Sequence, residues 1–207
     1  MEITPDPARA TRPGGRTARV RAAVLTAAGD VLAEHGYAGL DLADVAQRAG
    51  VGKTTVYRRW GSVTGLVVDL LAEMAESSAP RADTGTLLGD LTANARLVRR
   101  TLADRRQGPL FRAVIAASIS APETAGALHR FYAARVAEWA PCVTDALDRG
   151  EVPAGTDADE VVRAVSAPLY YRMLTTALPL SVAVADRAAE AVTTAARAGA
   201  YVRGAGR

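Results

Sequence analysis

The sequence predicts an all-α protein, and three observations carry that prediction. Apolar residues recur at i, i+3/i+4 and i+7 in segment after segment, and no stretch alternates every second residue between hairpin turns. Alanine is abundant while aromatic residues make up only 5% of the chain, a bias that favours helix over sheet. The breaks between periodic segments fall at Gly36, Gly50, 77–85, Gly108 and Pro109, Pro122, 150–155 and Pro179, where helix-stopping residues stand.

Taken in order, the first helix starts near Thr17 and carries Val20, Val24, Ala27, Ala28, Val31 and Leu32 on one face, with Gly36 placed to end it. Asp41 opens a second helix, because its carboxylate can accept from the orphan amides of the first turn while Leu42, Val45 and Ala46 face inward. Gly50 ends it. A third helix begins near Lys53, with Val56 and Trp60 inward at i and i+4. Ser62 caps a fourth helix bearing Leu66, Val67, Leu70, Leu71 and Met74. Five more are expected over roughly 86–106, 108–119, 122–149, 157–178 and 184–202, nine in all, with Pro168 bending or breaking the eighth. Residues 1–16 hold three prolines, paired glycines and little to bury, and read as a flexible arm. The expected organisation is that arm, a three-helix unit over 17–62, and a larger helical unit over 63–207 whose first helix, about 63–79, connects the two.

Composition narrows the function classes. Net charge is +3, which permits nucleic-acid binding without demanding it. Lys53 is the single lysine, and the Arg-for-Lys bias reads as a GC-rich genome, so Arg counts alone carry little. One cysteine, Cys142, excludes an internal disulfide, and with only His35 and His129 beside it no metal site or cofactor is expected. The N-terminal region lacks a long apolar run, and 173–185 is too short for a membrane span and contains Pro179, so a soluble cytoplasmic protein is expected. No Ser-His-Asp arrangement or acid–base pair stands out, so an enzyme is not expected.

The stretch 41–60 carries the most specific message: two short helices around a glycine turn, the second presenting hydroxyls, a phenol and three cations. Such a bihelical unit fits the major groove of double-stranded DNA. Asp41, Gly52, Lys53, Thr54, Thr55, Tyr57, Arg58 and Arg59 are the candidate contacts. Hydroxyls and the phenol can reach phosphates or base edges, and Arg can pair with guanine or neutralise phosphate. Arg9, Arg12 and Arg16 in the arm are candidates for the minor groove, with no contact as the plainer expectation. A rival reading takes Gly50–Thr55 as part of a phosphate-binding loop for a nucleotide. That loop needs a glycine where Gln47 stands and a buried strand leading in, whereas 42–49 has helical spacing.

From Thr17 to about Leu71 the chain resembles the DNA-binding domain of the TetR (tetracycline repressor) family. The resemblance rests on a first helix ending His35-Gly-Tyr37, then Leu42-Ala-Asp-Val-Ala, then Ala49-Gly-Val-Gly-Lys-Thr-Thr-Val-Tyr-Arg-Arg-Trp60. Gly52 stands where members usually have Ser, Trp60 where they have Phe, and Val63 where many have a phosphate-holding Lys. The resemblance implies a homodimeric transcription factor, usually a repressor, on a palindromic operator whose half-sites lie about 34–36 Å apart. It also implies a C-terminal domain that dimerises and encloses a small-molecule effector. Phe111, Arg112, Tyr132, Trp139, Tyr170, Tyr171 and Met173 are the candidate pocket residues. The small and apolar faces of the last two helices, Val161, Val162, Val165, Leu169, Met173 and Leu174, then Ala188, Ala189, Val192, Ala195, Ala196 and Tyr201, are candidates for the dimer seam, with internal core as the alternative and the two uses able to coexist. A ligand-independent DNA-binding protein with a filled C-terminal core is the alternative reading of function.

Overall fold

The structure, a computed structural model, describes residues 13–204. Among these residues ten helices follow in order: α1 (Pro13–His35), α2 (Leu42–Arg48), α3 (Lys53–Trp60), α4 (Val63–Glu76), α5 (Leu87–Ala103), α6 (Gln107–Ser118), α7 (Pro122–Trp139), α8 (Pro141–Asp148), α9 (Ala158–Thr175) and α10 (Val182–Arg197). The expected all-α fold is what forms; an isolated antiparallel bridge, Thr156 to Val202, is the one extended pairing among the described residues. α1, α2 and α3 form the N-terminal unit, α4 leads out of it, and α5–α10 build the larger one.

Four details differ from the sequence expectation. The single helix expected over 122–149 is interrupted at Ala140, because Pro141 has no amide to donate back and its ring crowds the preceding turn. Ala140 itself keeps helical dihedrals (φ −51°, ψ −35°), so α7 and α8 are one kinked helix, and counted that way the total is the expected nine. Pro168, by contrast, does not break α9, which runs on to Thr175; it lies on the exposed side, where an unpartnered carbonyl can be hydrated. α1 starts at Pro13, a residue suited to a first helical position, so 13–16 of the expected arm are helical and 1–12 lie outside the described residues. α10 stops at Arg197 rather than near 202, and the chain then turns back so that the Asp157 amide donates to the Tyr201 carbonyl at 2.7 Å.

A polar clamp ties the N-terminal unit to α4. Arg21 of α1 donates to both carboxylate oxygens of Asp69, from Nε at 3.1 Å and from Nη2 at 2.7 Å, and also pairs with Glu73. The indole Nε1 of Trp60, the last residue of α3, donates to Asp69 Oδ2 at 2.9 Å. Burial alone would raise the Asp69 carboxyl, but the bonds from Arg21 and Trp60 outweigh it and hold the group below its usual range. Three helices therefore meet on one carboxylate. Cys142 sits fully buried on α8, and burial pushes its thiol up to about 12, which leaves it an inert packing group.

Asp69→Asn should lower the unfolding free energy by about 1–2 kcal/mol, since charge-assisted bonds to Arg21 are lost in a partly solvated site. The folded pKa lies below the free value of 3.8, so the unfolded chain takes up the proton first as pH falls. The difference between wild type and variant in urea titrations should thus stay constant from neutral pH to roughly pH 5 and shrink below pH 4. A difference already gone at pH 6 would show that Asp69 is not the linked group.

Candidate functional site

The turn between α2 and α3 is built by local chemistry. Asp41 adopts an extended conformation and its Oδ1 accepts from the amides of Ala43 at 2.8 Å and Asp44 at 3.1 Å. α2 ends where Gly50 takes φ +65°, a conformation a side chain strains, with the Val51 amide donating back to Ala46 at 2.9 Å. A helix, not a strand, therefore leads into Gly50–Thr55, which removes the structural basis for the phosphate-loop reading. Val56 and Trp60 are buried under α3, as the spacing predicts.

The outer face of α3 is open. Lys53, Thr54, Tyr57, Arg58 and Arg59 are exposed, Tyr57 at 47%, and Thr55 is half-buried. Among the described residues Lys53, Arg58 and Arg59 join no ion pair. Arg48, one helix earlier, is occupied by Glu34 at 2.7 Å and Asp44 at 3.4 Å. Arg59 lies over the Trp60 ring at 5.2 Å from its centre, which holds the guanidinium at the end of the helix. Asp41 fills the capping role expected of it: its carboxylate is engaged by the first-turn amides of α2, and a carboxylate cannot itself donate to a phosphate. Gly52 opens α3 with an extended backbone and no side-chain cap.

The larger unit contains a cavity of about 900 Å³ between α4, α5, α6, α7 and α9. Four of the seven expected pocket residues line it: Phe111, Tyr132, Trp139 and Tyr170. The other three do not. Arg112 points to the surface from α6, Tyr171 is 68% exposed on the outer side of α9, and Met173 is buried in the core away from the cavity. Each lies on the wrong side of its helix. Sequence reasoning missed Asn94, Phe131 and Arg135 as wall residues. The signal for Arg135 was its place in the α7 stripe Leu128, Tyr132, Arg135 and Trp139; that for Asn94 was an amide within the apolar stripe of α5. Burial pushes the Tyr170 phenol up to about 12 and raises that of Tyr132 further, so both stay protonated.

Cavity and recognition helix are physically joined. Leu70 and Met74 of α4 line the cavity, while Asp69 and Glu73, their neighbours in sequence, hold Arg21 and Trp60. Arg106 also lies on the wall, and it pairs with Asp30 and donates to the Thr26 carbonyl of α1 at 2.7 Å. Gly29 makes room for this, since a β-carbon there would stand 2.8 Å from the Arg106 guanidinium. Tyr37, just beyond α1, shares its hydroxyl with Thr64 of α4 at 3.0 Å and Thr124 of α7 at 3.4 Å.

Fold and site together define a helix-turn-helix regulator of transcription. Residues 24–70 match the family described as bacterial regulatory proteins, tetR family, and residues 81–192 match the tetracyclin repressor-like C-terminal domain. The chain is 32% identical over 171 residues to the HTH-type transcriptional regulator AqdR of Rhodococcus erythropolis, covering 80% of this chain and 81% of that one. Among solved structures, Salmonella enterica GusR aligns with a TM-score of 0.71 at 21% identity, over 86% of this chain and 95% of that one. The Bacillus subtilis regulator FadR, solved with stearoyl-CoA, aligns at 0.64 and 17% identity over 84% and 97%. The chain belongs to the TetR family of transcriptional regulators, and it is a regulator rather than an enzyme.

Gly52 gives the site a direct test. Its φ of −60° suits any residue, and a β-carbon would meet nothing nearer than Thr55 Oγ1 at 4.0 Å. A hydroxyl there can accept from the Thr54 amide, which has no acceptor among the described residues, or share the Thr55 amide now donated to the Gly52 carbonyl at 2.9 Å, as the Ser62 hydroxyl accepts from Gly65 at 3.0 Å. Gly52→Ser should raise the unfolding free energy by about 0.5–1 kcal/mol in denaturant titrations; a loss of stability would mean the turn is not the one described.

Proposed function

We propose that this regulator is a cytoplasmic repressor that binds a palindromic operator as a homodimer and is released from it by a small molecule in the α4–α9 cavity. The carrying observation is the pairing of an α3 face whose cations have no carboxylate partners with a cavity wall one residue from the clamp that orients α3. Lys53, Thr54, Thr55, Tyr57, Arg58 and Arg59 are the groups that meet DNA, and Gly52 brings backbone close to a phosphate. The working division is a DNA-binding unit over 17–62 and an effector-binding and dimerising unit over 63–207. A cavity of this size favours the effector reading over a filled core. The stearoyl-CoA complex of FadR adds that this fold holds a ligand in one of its relatives.

The effector acts through α4. An occupant pressing on Leu70 and Met74 shifts the helix that holds Asp69, and so tilts Trp60 and α3 relative to the partner's recognition helix. Effector and operator then weaken each other by the same factor.

The dimer seam belongs to the outer side of α9 and the start of α10. Of the seam candidates named from the sequence, Val165, Leu169, Ala188, Ala189, Val192 and Ala196 are buried within the protomer, while Leu174 is exposed. What stays exposed is Tyr171, Leu174, Leu178 and Val182, an apolar strip of the kind a partner covers.

Lys53→Ala should weaken binding to every duplex and reduce the slope of log affinity against log salt by about one, measured on a palindrome selected from random DNA. An unchanged slope would remove Lys53 from the phosphate contacts. Leu174→Glu should give a folded monomer by sedimentation with at least tenfold weaker operator binding, because one α3 reads only one half-site. A dimer that survives this change would place the seam elsewhere.

A further inference from the structure

The cavity wall has a charge pattern that its role as an effector site does not by itself require. Arg106, Arg135 and Arg163 line it, and no aspartate or glutamate does. Two of the three are already engaged, Arg106 with Asp30 and Arg163 with Asp159 at 3.3 Å and Glu160 at 3.5 Å. Arg135, midway along α7, is half-buried and pairs with no carboxylate among the described residues. Its Nη2 donates to the Ala79 carbonyl at 3.2 Å, which leaves most of its five N–H groups without protein acceptors. Glu138, one turn along α7, has an oxygen turned to the Arg81 amide at 3.1 Å.

Two further donors converge on the same space. The Tyr132 hydroxyl, one turn before Arg135, is shielded from solvent and completes no hydrogen bond, although the Tyr170 phenol stands close enough to act on it. Burial keeps that phenol protonated, so toward an anion it acts as a donor. Asn94 is 4% exposed, and its side-chain amide bonds to no described residue. Around them the wall is aromatic: the Tyr132 ring stands edge-on to Phe131 at 5.3 Å and to Tyr170 at 5.5 Å, with Trp139 one turn beyond Arg135.

A half-buried guanidinium that Glu138 supports only through space, with no direct ion pair, and a buried hydroxyl that forms no hydrogen bond each cost free energy in the protein alone. One ligand group satisfies both. Resting on the effector reading of the cavity, we propose that the effector is an organic anion: an aromatic body against Phe131, Tyr170 and Trp139, with one carboxylate that pairs with Arg135 and accepts from the Tyr132 hydroxyl. A cationic ligand would meet Arg135 and no acid. A neutral one would leave the guanidinium unpaired.

The test uses the full-length dimer and three matched probes, 2-naphthoate, 2-naphthamide and 2-(aminomethyl)naphthalene, titrated calorimetrically at one pH and salt concentration. The carboxylate should bind about tenfold or more tighter than the amide, with the amine weakest. Arg135→Gln should bring the carboxylate down to the amide's affinity and leave amide binding within about twofold. Tyr132→Phe should weaken the carboxylate several-fold while the ligand-free protein melts at the same temperature or higher, because an unsatisfied buried hydroxyl has been removed. The two variants stand independently should one fail to fold. Amide or amine binding as tight as the carboxylate's, or a preference for the anion that survives Arg135→Gln, overturns the proposal. If the amide or amine binds and releases operator DNA, the effector cavity stands and the anion falls. If the carboxylate binds through Arg135 without weakening operator binding, the anion site stands and its effector role falls; if none of the three binds, both fall.

Discussion

The carboxylate of Asp69 is the constraint on which the reading head depends. α3 is only eight residues long, and its contacts with the rest of the protein are few: α2 across the turn and α4 behind. A helix that short has little stability of its own. Its buried side chains, Val56 and Trp60, fix its depth, but apolar packing alone fixes rotation weakly. The bond from Trp60 to Asp69 supplies direction, and Arg21 on the other side of the same carboxylate references that direction to α1. The Trp in place of the family's usual Phe thus has a physical consequence, since a phenyl ring cannot donate.

The same helix that carries Asp69 lines the cavity at the next residue. α4 therefore has two faces with two tasks, one apolar and turned to the C-terminal unit, the other acidic and turned to the reader. Arg106 and Tyr37 make parallel links, one from the cavity wall to α1 and one across α4 and α7. Under the proposed function, a displacement at the cavity needs no long relay to reach α3, because one helix carries attachments on both sides.

Much of this was legible in the sequence, and the failures have a common cause. The turn at Gly50, the cap at Asp41 and the inward pair Val56 and Trp60 follow from chemistry within a few residues, and they were readable. The clamp was not, because Arg21 and Asp69 lie 48 positions apart and nothing local couples them. In the cavity, the α7 stripe gave Tyr132 and Trp139 because one side of that helix is clearly apolar. α9 misled, since it is apolar on two sides: Leu169 and Met173 point into the core while Tyr171 and Leu174 point out. Periodicity cannot say which of two greasy faces meets which neighbour. The alanines of α10 take the internal-core alternative, packing closely against α5 within one protomer.

The adjacency of Asp69 and Leu70 divides the cavity into walls with unequal freedom to vary. Under the proposed function, a change in bulk at Leu70 or Met74 bears on the cavity wall and on the helix that positions α3 at once. Tyr132, Arg135 and Tyr170, on α7 and α9, make no side-chain hydrogen bond to α1, α3 or Asp69 among the described residues, although α7 itself packs against α4. If the cavity takes the proposed effector, substitutions that retune its chemistry at Tyr132, Arg135 or Tyr170 leave the Asp69 clamp itself untouched, whereas those at Leu70 or Met74 stand on the clamp's own helix.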